Sequence, residues 1–402
     1  MVNNAWKTVT LSSIGTFQKG SGISRAESNS GALPAVRYGE LYTVYNNYVR
    51  KYTSHISHEV ASKALRVHCG DILFACSGET KEDIAKCAAI IDDSEVYAGG
   101  DIIVLSPTTK VDPIFLGFVL NTQDVIQQRA QKAQGDAIVH ISTDSIKSIE
   151  IAMPEYSEQV KIAKALYDID TLIVNLEKLI AKKKAIKQGA MQELLTGKRR
   201  LPGFGGAWET VKLGDHCVVL RGGSPRPIQA YLTSSPQGAN WIKIGDVREG
   251  DKYITATAER IIEAGISRSR EVFAGDFILS NSMSFGRPYI LKINGCIHDG
   301  WLVIQNYQDS FDQQYLYYVL GSDMVKAQYI SMAAGSSVQN LNKEKVGNVM
   351  LHKPDIEEQH SIAAILSDMD EEISKYEHQL RKYKGVKQGM MSELLTGRIR
   401  LV

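Results

Sequence analysis

The chain has little that would staple, anchor or charge it. Of its 402 residues only five are cysteine: Cys69, Cys76, Cys87, Cys217 and Cys296. The number is odd and no two have Cys-x-x-Cys spacing, which excludes a disulfide scaffold and an ordinary zinc site. His68 beside Cys69 finds no second ligand pair, so no metal is expected. Free thiols in a reducing cytoplasm are the expectation. The net charge is +1, from 46 basic and 45 acidic residues. No global field therefore marks a nucleic-acid or membrane partner, and any basic patch must be local. No stretch approaches the ~20 apolar residues of a membrane span. The opening "MVNNAWKTVT" lacks the basic region and apolar run of a secretory signal. A cytoplasmic location and no membrane partner are expected.

Catalytic signatures are missing as well. An adenine methyltransferase needs a cofactor loop and an Asn/Asp-Pro-Pro-aromatic tetrad, and the ten prolines include no Pro-Pro. "KGSGIS" has a Gly-x-Gly but not the spacing or Lys-Ser/Thr of a P-loop. There is no Gly-x-Ser-x-Gly elbow and no His-Glu-x-x-His. "KPDIEEQ" lacks the distal lysine of a nuclease cluster. The pairs Asp168/Asp170 and Asp368/Asp370 are expected on an exposed helix side, solvated or salt-bridged to a partner. The chain reads as a binding protein with no catalytic residue and no cofactor of its own.

What is present is a repeat. "KQGAMQELLTG" at 187–197 returns as "KQGMMSELLTG" at 387–397. Residues 153–201 laid on 353–401 match at 23 of 49 positions without a gap. Ordinary composition would give roughly 6% identity, or about three. The match continues upstream in weaker form. "WKTVTLSSIGTFQKG" at 6 aligns with "WETVKLGDHCVVLRG" at 208, "VRYGEL" at 36 with "IKIGDV" at 242, and "CGDILFA" at 69 with "AGDFILS" at 274. Hydrophobic residues make up 44% of the chain, enough for two cores. The expected plan is a globular part at 1–152, a helix at 153–207, a second globular part at 208–352 and a second helix at 353–402. The helices agree where the globular parts diverge, so the helices do something common and the globular parts something different.

Residues 155–195 carry no proline, and Ser157 is the expected N-cap. Ile162, Leu166, Ile169, Ile173, Leu176 and Ile180 are spaced 4, 3, 4, 3, 4, the a/d seam of a coiled coil. Ile362, Leu366, Met369, Ile373, Tyr376 and Leu380, followed by Tyr383, repeat it. Two such seams pack on each other, or lie as surface helices on separate domains. Gly197 and Gly397 read as C′ glycines. The basic runs after each seam (Lys182, Lys183, Lys184, Lys187, Lys198, Arg199, Arg200 and their second set) suit either a solvated face or DNA phosphates.

The globular parts show short strand-like runs between glycine turns, with a helical stretch near 113–130 and near 312–330. This predicts α+β domains with mixed, strongly bent sheets. Their loops are rich in Gly, Ser and Arg, a composition that suits base-edge and phosphate contact. The candidate DNA contacts are Lys19, Ser21, Arg25, Arg37, Ser77 and Lys81 in the first part. In the second they are Arg221, Ser224, Arg226, Lys243, Ser284 and Arg287. Repeat equivalence pairs Lys19 with Arg221 and Arg37 with Lys243.

The twin "KQGxMxELLTGxxRL" segments, the "P-x-x-x-E-Q-x-x-I-A" starts at Pro154 and Pro354, "VRYGELYT" at 36–43 and the "W-x-x-V-x-L" openings at Trp6 and Trp208 resemble the specificity subunits of type I restriction–modification enzymes. The resemblance covers the whole chain. It implies two target-recognition domains, each reading half of a bipartite site in double-stranded DNA, spaced by an antiparallel coiled coil. It implies two copies of a methyltransferase subunit docked on the helices, with restriction (motor-nuclease) subunits joining them. S-adenosylmethionine and ATP then belong to those partners. Candidate partner contacts are Gln188, Met191, Leu194, Leu195, Gln388, Met391, Leu394 and Leu395, unless these pack within the protein itself. A helix of about 37 residues is ~55 Å long, enough for major-groove sites that recur every ~34 Å. An antiparallel pair should also bring Val402 close to Trp6. A protein-only scaffold and a degenerate stand-alone methyltransferase or nuclease are the competing expectations.

Overall fold

The computed structural model describes residues 6–135, 138–248, 250–281, 286–333 and 341–401. They form two compact units, one of residues 1–177 with 378–402, the other of residues 178–377.

In the first unit a five-stranded sheet runs in the order Gly15–Lys19, Ile102–Pro107, Ile72–Ala75, Cys87–Ile90, Tyr48–Val49. A four-stranded sheet runs Ser54–Ile56, Leu33–Val36, Val96–Ala98, Leu65–Val67. Each sheet has one parallel pair in an otherwise antiparallel ladder. The second unit repeats this order with different residues and one added edge strand, Leu232–Thr233. One sheet runs Val218–Arg221, Trp301–Gln305, Phe277–Ser280, Pro288–Leu291, Tyr253–Ile254. The other runs Leu232–Thr233, Glu259–Ile261, Ala239–Ile242, Gly295–Ile297, Arg270–Val272. The parallel pairs fall at the equivalent places.

The inner strands are apolar throughout because they serve two cores. Ile72 and Phe74 point into one cluster and Leu73 and Ala75 into another, as alternation along a strand requires. Phe277 and Leu279 part from Ile278 in the same way. The helix Pro113–Val119 covers the first of these cores and Gln313–Leu320 its counterpart.

The long helices span Tyr156–Leu194 and Ile356–Leu394. The first begins at Tyr156, so Ser157 lies inside its first turn and is not the N-cap; the Glu155 carbonyl accepts from Gln159 N. In the first unit Asp170 pairs with Lys387 at 2.6 Å and Glu177 with Lys384 at 2.7 Å. In the second, Lys183 meets Glu372 at 2.7 Å and Lys187 meets Asp370. One number rises as the other falls, so the segments run antiparallel within each unit. All twelve seam residues are buried or half-buried. Ile162, Leu166, Ile362 and Leu366 go further and enter the domain cores.

Two expectations for the helices change here. Asp170 and Asp370 are not on an exposed side: they are half-buried, and each also accepts a tyrosine hydroxyl, from Tyr48 and Tyr318 respectively. Much of the basic run is likewise spent on ion pairs, since Lys183, Lys184, Lys187 and Lys387 all meet carboxylates.

Candidate nucleic-acid interface

The repeated phrases turn out to be latches. In the first unit the buried Glu158 carboxylate accepts from Arg400 Nε and Nη2 at 2.6 Å each, from Leu401 N at 3.3 Å and from Trp6 Nε1 at 3.3 Å. In the second, Glu358 accepts from Arg200 Nε and Nη2 and from Trp208 Nε1, all at 2.8 Å. The neighbouring Gln159 accepts from Asp112 N at 3.0 Å, and its amide donates to Pro154 O at 2.9 Å. Gln359 does the same with Asp312 and Pro354. Asp112 and Asp312 in turn cap the two core-covering helices. Gly197 and Gly397 have φ of 69° and 67°, and a Cβ on either would meet the Trp208 or Trp6 ring at 3.2 Å. Trp6 and Leu401 thus converge on one carboxylate, as the antiparallel arrangement requires of the chain ends. Val402 itself lies outside the described residues.

The hydrogen bonds from Arg400 hold the Glu158 carboxyl below its ordinary value of 4.5. A depressed carboxylate contributes stability that is complete above its unfolded pKa and lost as pH falls through the folded one. The first unit should therefore lose urea resistance as pH falls below the ordinary carboxyl value of 4.5. Glu158→Gln should flatten that part of the profile, and an unchanged profile would remove this role from Glu158.

The loops at the ends of the equivalent strands form the polar surface of each domain. In the second unit Arg221 ends its strand, and Gly222 N donates to Trp301 O at 2.8 Å. A Cβ on Gly222 would stand 2.0 Å from His298 O, so the backbone passes where no side chain fits. Ser224 Oγ donates to Asp299 at 2.8 Å, the Arg226 guanidinium lies 3.6 Å from the same carboxylate, and Arg221 Nε reaches Asp299 O at 3.3 Å. The hydrogen bond from Ser224 is the main cause that lowers the Asp299 pKa. Burial lowers that of His298 beside it. Three expected contacts thus gather around one acid. Three more polar side chains near this corner were passed over in the sequence reading. Arg270 Nε donates to Arg221 O at 3.2 Å, Ser269 Oγ donates to Gly223 O at 2.8 Å, and the Arg268 guanidinium sits 5.6 Å from the Tyr231 ring centre. The alternating "SRSR" at 267–270 was the available signal.

The first unit builds the same corner with fewer arginines. Lys19 ends its strand, Gly20 N donates to Ile102 O at 2.8 Å, and Ser21 Oγ donates to Lys63 O at 2.8 Å. Lys19, Ser21, Arg25 and Lys81 are exposed.

Other candidates sit elsewhere. Ser77 is buried and its hydroxyl bonds His140 Nδ1 at 3.0 Å, so it is not open to a base. Arg37 is half-buried, donating to Ser54 at 3.3 Å and lying 3.9 Å from the buried Glu40. Its equivalent Lys243 pairs with Glu259 at 2.6 Å. Both cations are held by their own domains. Arg287 lies away from the loop corner, lining a cavity of about 820 Å³ with Lys187, Gln188, Met191, Lys252 and Tyr253. Ser284 lies outside the described residues.

Four of the expected partner contacts are corrected. Leu194, Leu195, Leu394 and Leu395 are at most 6% exposed and sit in the domain cores, so no partner can reach them in this fold. Met191 and Met391 are half-buried against the same cores, and Gln188 and Gln388 are exposed. Gln188 Nε2 donates to Asp323 at 2.5 Å.

A profile of the type I restriction modification DNA specificity domain matches residues 3–188 and again 206–382. The chain belongs to this family. It is a type I specificity subunit with two recognition domains. It is 23% identical over 401 residues to the type I restriction enzyme MjaVIII specificity subunit of Methanocaldococcus jannaschii, covering 92% of this chain and 90% of that one. It is 25% identical over 370 residues to a second chain of that organism, designated the type I restriction enzyme MjaX specificity subunit, covering 87% and 83%. The fold is similar to that of the crystallised S subunit of the M. genitalium type I restriction–modification system, with TM-score 0.63, 15% identity and coverage of 98% and 96%. A chain solved in work on complex assembly and conformational transition of the type I system gives TM-score 0.60, 16% identity and coverage of 98% of each chain. Specificity subunits are the non-catalytic components of type I enzymes, so the stand-alone methyltransferase and nuclease readings fall. No described helix is long and apolar enough to cross a membrane. Among the described residues no cluster of acidic, His or Cys side chains could hold a metal ion.

Proposed function

We propose that the two recognition domains of this specificity subunit each read one half of a bipartite, asymmetric DNA site. The long helices set the gap between the halves. Two copies of a methyltransferase subunit dock on the equivalent helix surfaces, and restriction subunits join through them. S-adenosylmethionine and ATP act on those partners. The observation that carries this reading is the contrast within the repeat: the latches at Glu158 and Glu358 are alike, while the loop corners at Lys19 and Arg221 are not. Equal latches suit equal partners, and unequal corners suit unequal half-sites. Exposed Gln188 and Gln388 remain the proposed partner contacts.

Mapping methylated adenines across the source genome, with and without the gene, tests the whole reading. Loss of one gapped motif on deletion supports it, and an unchanged map with the partner subunit present refutes it. At residue level, Arg226→Ala or Arg270→Ala should cost about 1–3 kcal/mol of binding to that motif and relax one half-site only. Equal loss on both half-sites would count against base reading by these arginines.

A further inference from the structure

Arg129 is a buried cation that makes no ion pair among the described residues. It lies on the helix Gln123–Lys132 and is 1% exposed. Its Nη1 donates to Ala85 O at 2.5 Å and to Asn121 Oδ1 at 3.4 Å, both neutral acceptors. Among the described residues its Nε has no hydrogen-bond partner, and Asp83 acts on it only at a distance, without an ion pair. A guanidinium does not shed its proton to escape burial. Leaving one unpaired in a protein interior is strongly unfavourable, so a missing anion is the direct physical implication. The repeat shows that the fold does not require this charge: position 329, its equivalent, is a buried tyrosine.

The space for the anion is present. Arg129 lines a cavity of about 390 Å³ with Asn46, Asn47, Lys86, Asn121 and Lys387. Lys86 Nζ donates to Tyr42 O at 3.1 Å, and Lys387 is paired with Asp170 at 2.6 Å. Both ammonium groups keep protons to offer, and the asparagine amides add neutral donors. The exposed Glu82 and Asp83 also line the cavity and oppose an anion. Asp83 Oδ2 is taken by Thr80 at 2.9 Å and forms no ion pair with Arg129. The volume holds a phosphate group and several waters at ~30 Å³ each.

We infer that this cavity of the first recognition domain binds a phosphate-class oxyanion, with Arg129 as its counter-charge and Lys86 and the asparagines as further donors. The inference stands apart from the DNA-reading proposal, because free phosphate and a DNA backbone phosphate have the same chemistry.

The test uses the full chain and inorganic phosphate, titrated against chloride at equal ionic strength. Wild type should gain roughly 3–8 °C in Tm at phosphate about 100-fold above its Kd. Arg129→Met keeps the volume and removes the charge. It should melt no lower than wild type in chloride and should lose the phosphate response. Lys86→Met, a change at a half-buried position, should weaken the response without abolishing it. Asp83→Asn separates the rival arrangement in which Asp83 swings in as the counter-ion. The inference expects this variant to hold its chloride Tm and to bind phosphate at least as well. A chloride Tm lowered by Asp83→Asn, no phosphate response in wild type, or a response kept by Arg129→Met would each overturn it. If phosphate competes with a duplex carrying the mapped motif, the natural occupant is a backbone phosphate. If both bind together, it is a free one.

Discussion

Leu366→Ala is expected to lower the stability of the second unit by about 3–4 kcal/mol. Leu366 is fully buried, and its cluster includes Leu194, Leu195, Leu316 and Leu351. The residue is both a seam position and a core position. Truncation therefore removes transfer energy and leaves a cavity that two rigid helices cannot close, which places the cost in the upper part of the 2–5 kcal/mol range of such changes. Ile186→Ala, in the same unit, is the control: that side chain is 47% exposed, and its loss should move stability by less than about 0.5 kcal/mol. Urea unfolding followed by tryptophan fluorescence suits the comparison, since Trp208, Trp241 and Trp301 all belong to the second unit. A cost below about 1 kcal/mol for Leu366→Ala would show that the helix start is not part of the domain core.

Glu358→Ala should cost about 3 kcal/mol in the same assay, although it removes a hydrophilic side chain. The carboxylate is 2% exposed and accepts three hydrogen bonds at 2.8 Å, two from the Arg200 fork and one from Trp208. Charge-assisted bonds of this kind contribute roughly 1.5–3 kcal/mol each to a buried group, and they do not add fully. Glu358→Gln keeps the shape and one acceptor and should fall between wild type and alanine. The double change Arg200→Met with Glu358→Met should recover part of the loss, because both charges of the pair go together and only Trp208 Nε1 loses its acceptor. Protease should also cut more readily between positions 198 and 207, where Arg200 pins the chain to the latch. If Glu358→Ala is silent, the repeated Glu-Gln of the helix starts has some purpose other than the latch.

The helical part of the molecule was legible in the sequence. A 3.5-residue spacing held over three heptads has few other realisations, and the offset of 200 showed that it occurs twice. The antiparallel direction came from the family resemblance of the repeated motifs, not from the spacing itself. The repeated phrase itself was harder to read. Its leucines look like a surface for a partner, and they are core residues. What they bury against comes from strands and helices far away in the chain, and local spacing carries no trace of that.

The candidate DNA contacts divide along the same line. Lys19 and Arg221 were found because the two copies align them and each stands before a glycine in a Gly/Ser-rich loop, a pattern that is local. Arg37 and Ser77 have similar local patterns and are held inside by Glu40 and His140. Arg268 and Arg270 were visible as letters, but only the packing of two different sheets sets Arg270 on the Arg221 carbonyl, and Arg268 lies on the Tyr231 ring. Arg129 stands in "QDVIQQRAQK", which reads as the solvated side of a helix.

The sequence by itself determined the architecture and the duplication, because these rest on periodicity and identity. Only the tertiary structure decided which charges are free, which are paired and which are buried alone. Burial and ion pairing depend on residues some 10–240 positions apart being brought within a few ångströms. That information enters only when the strands and helices pack.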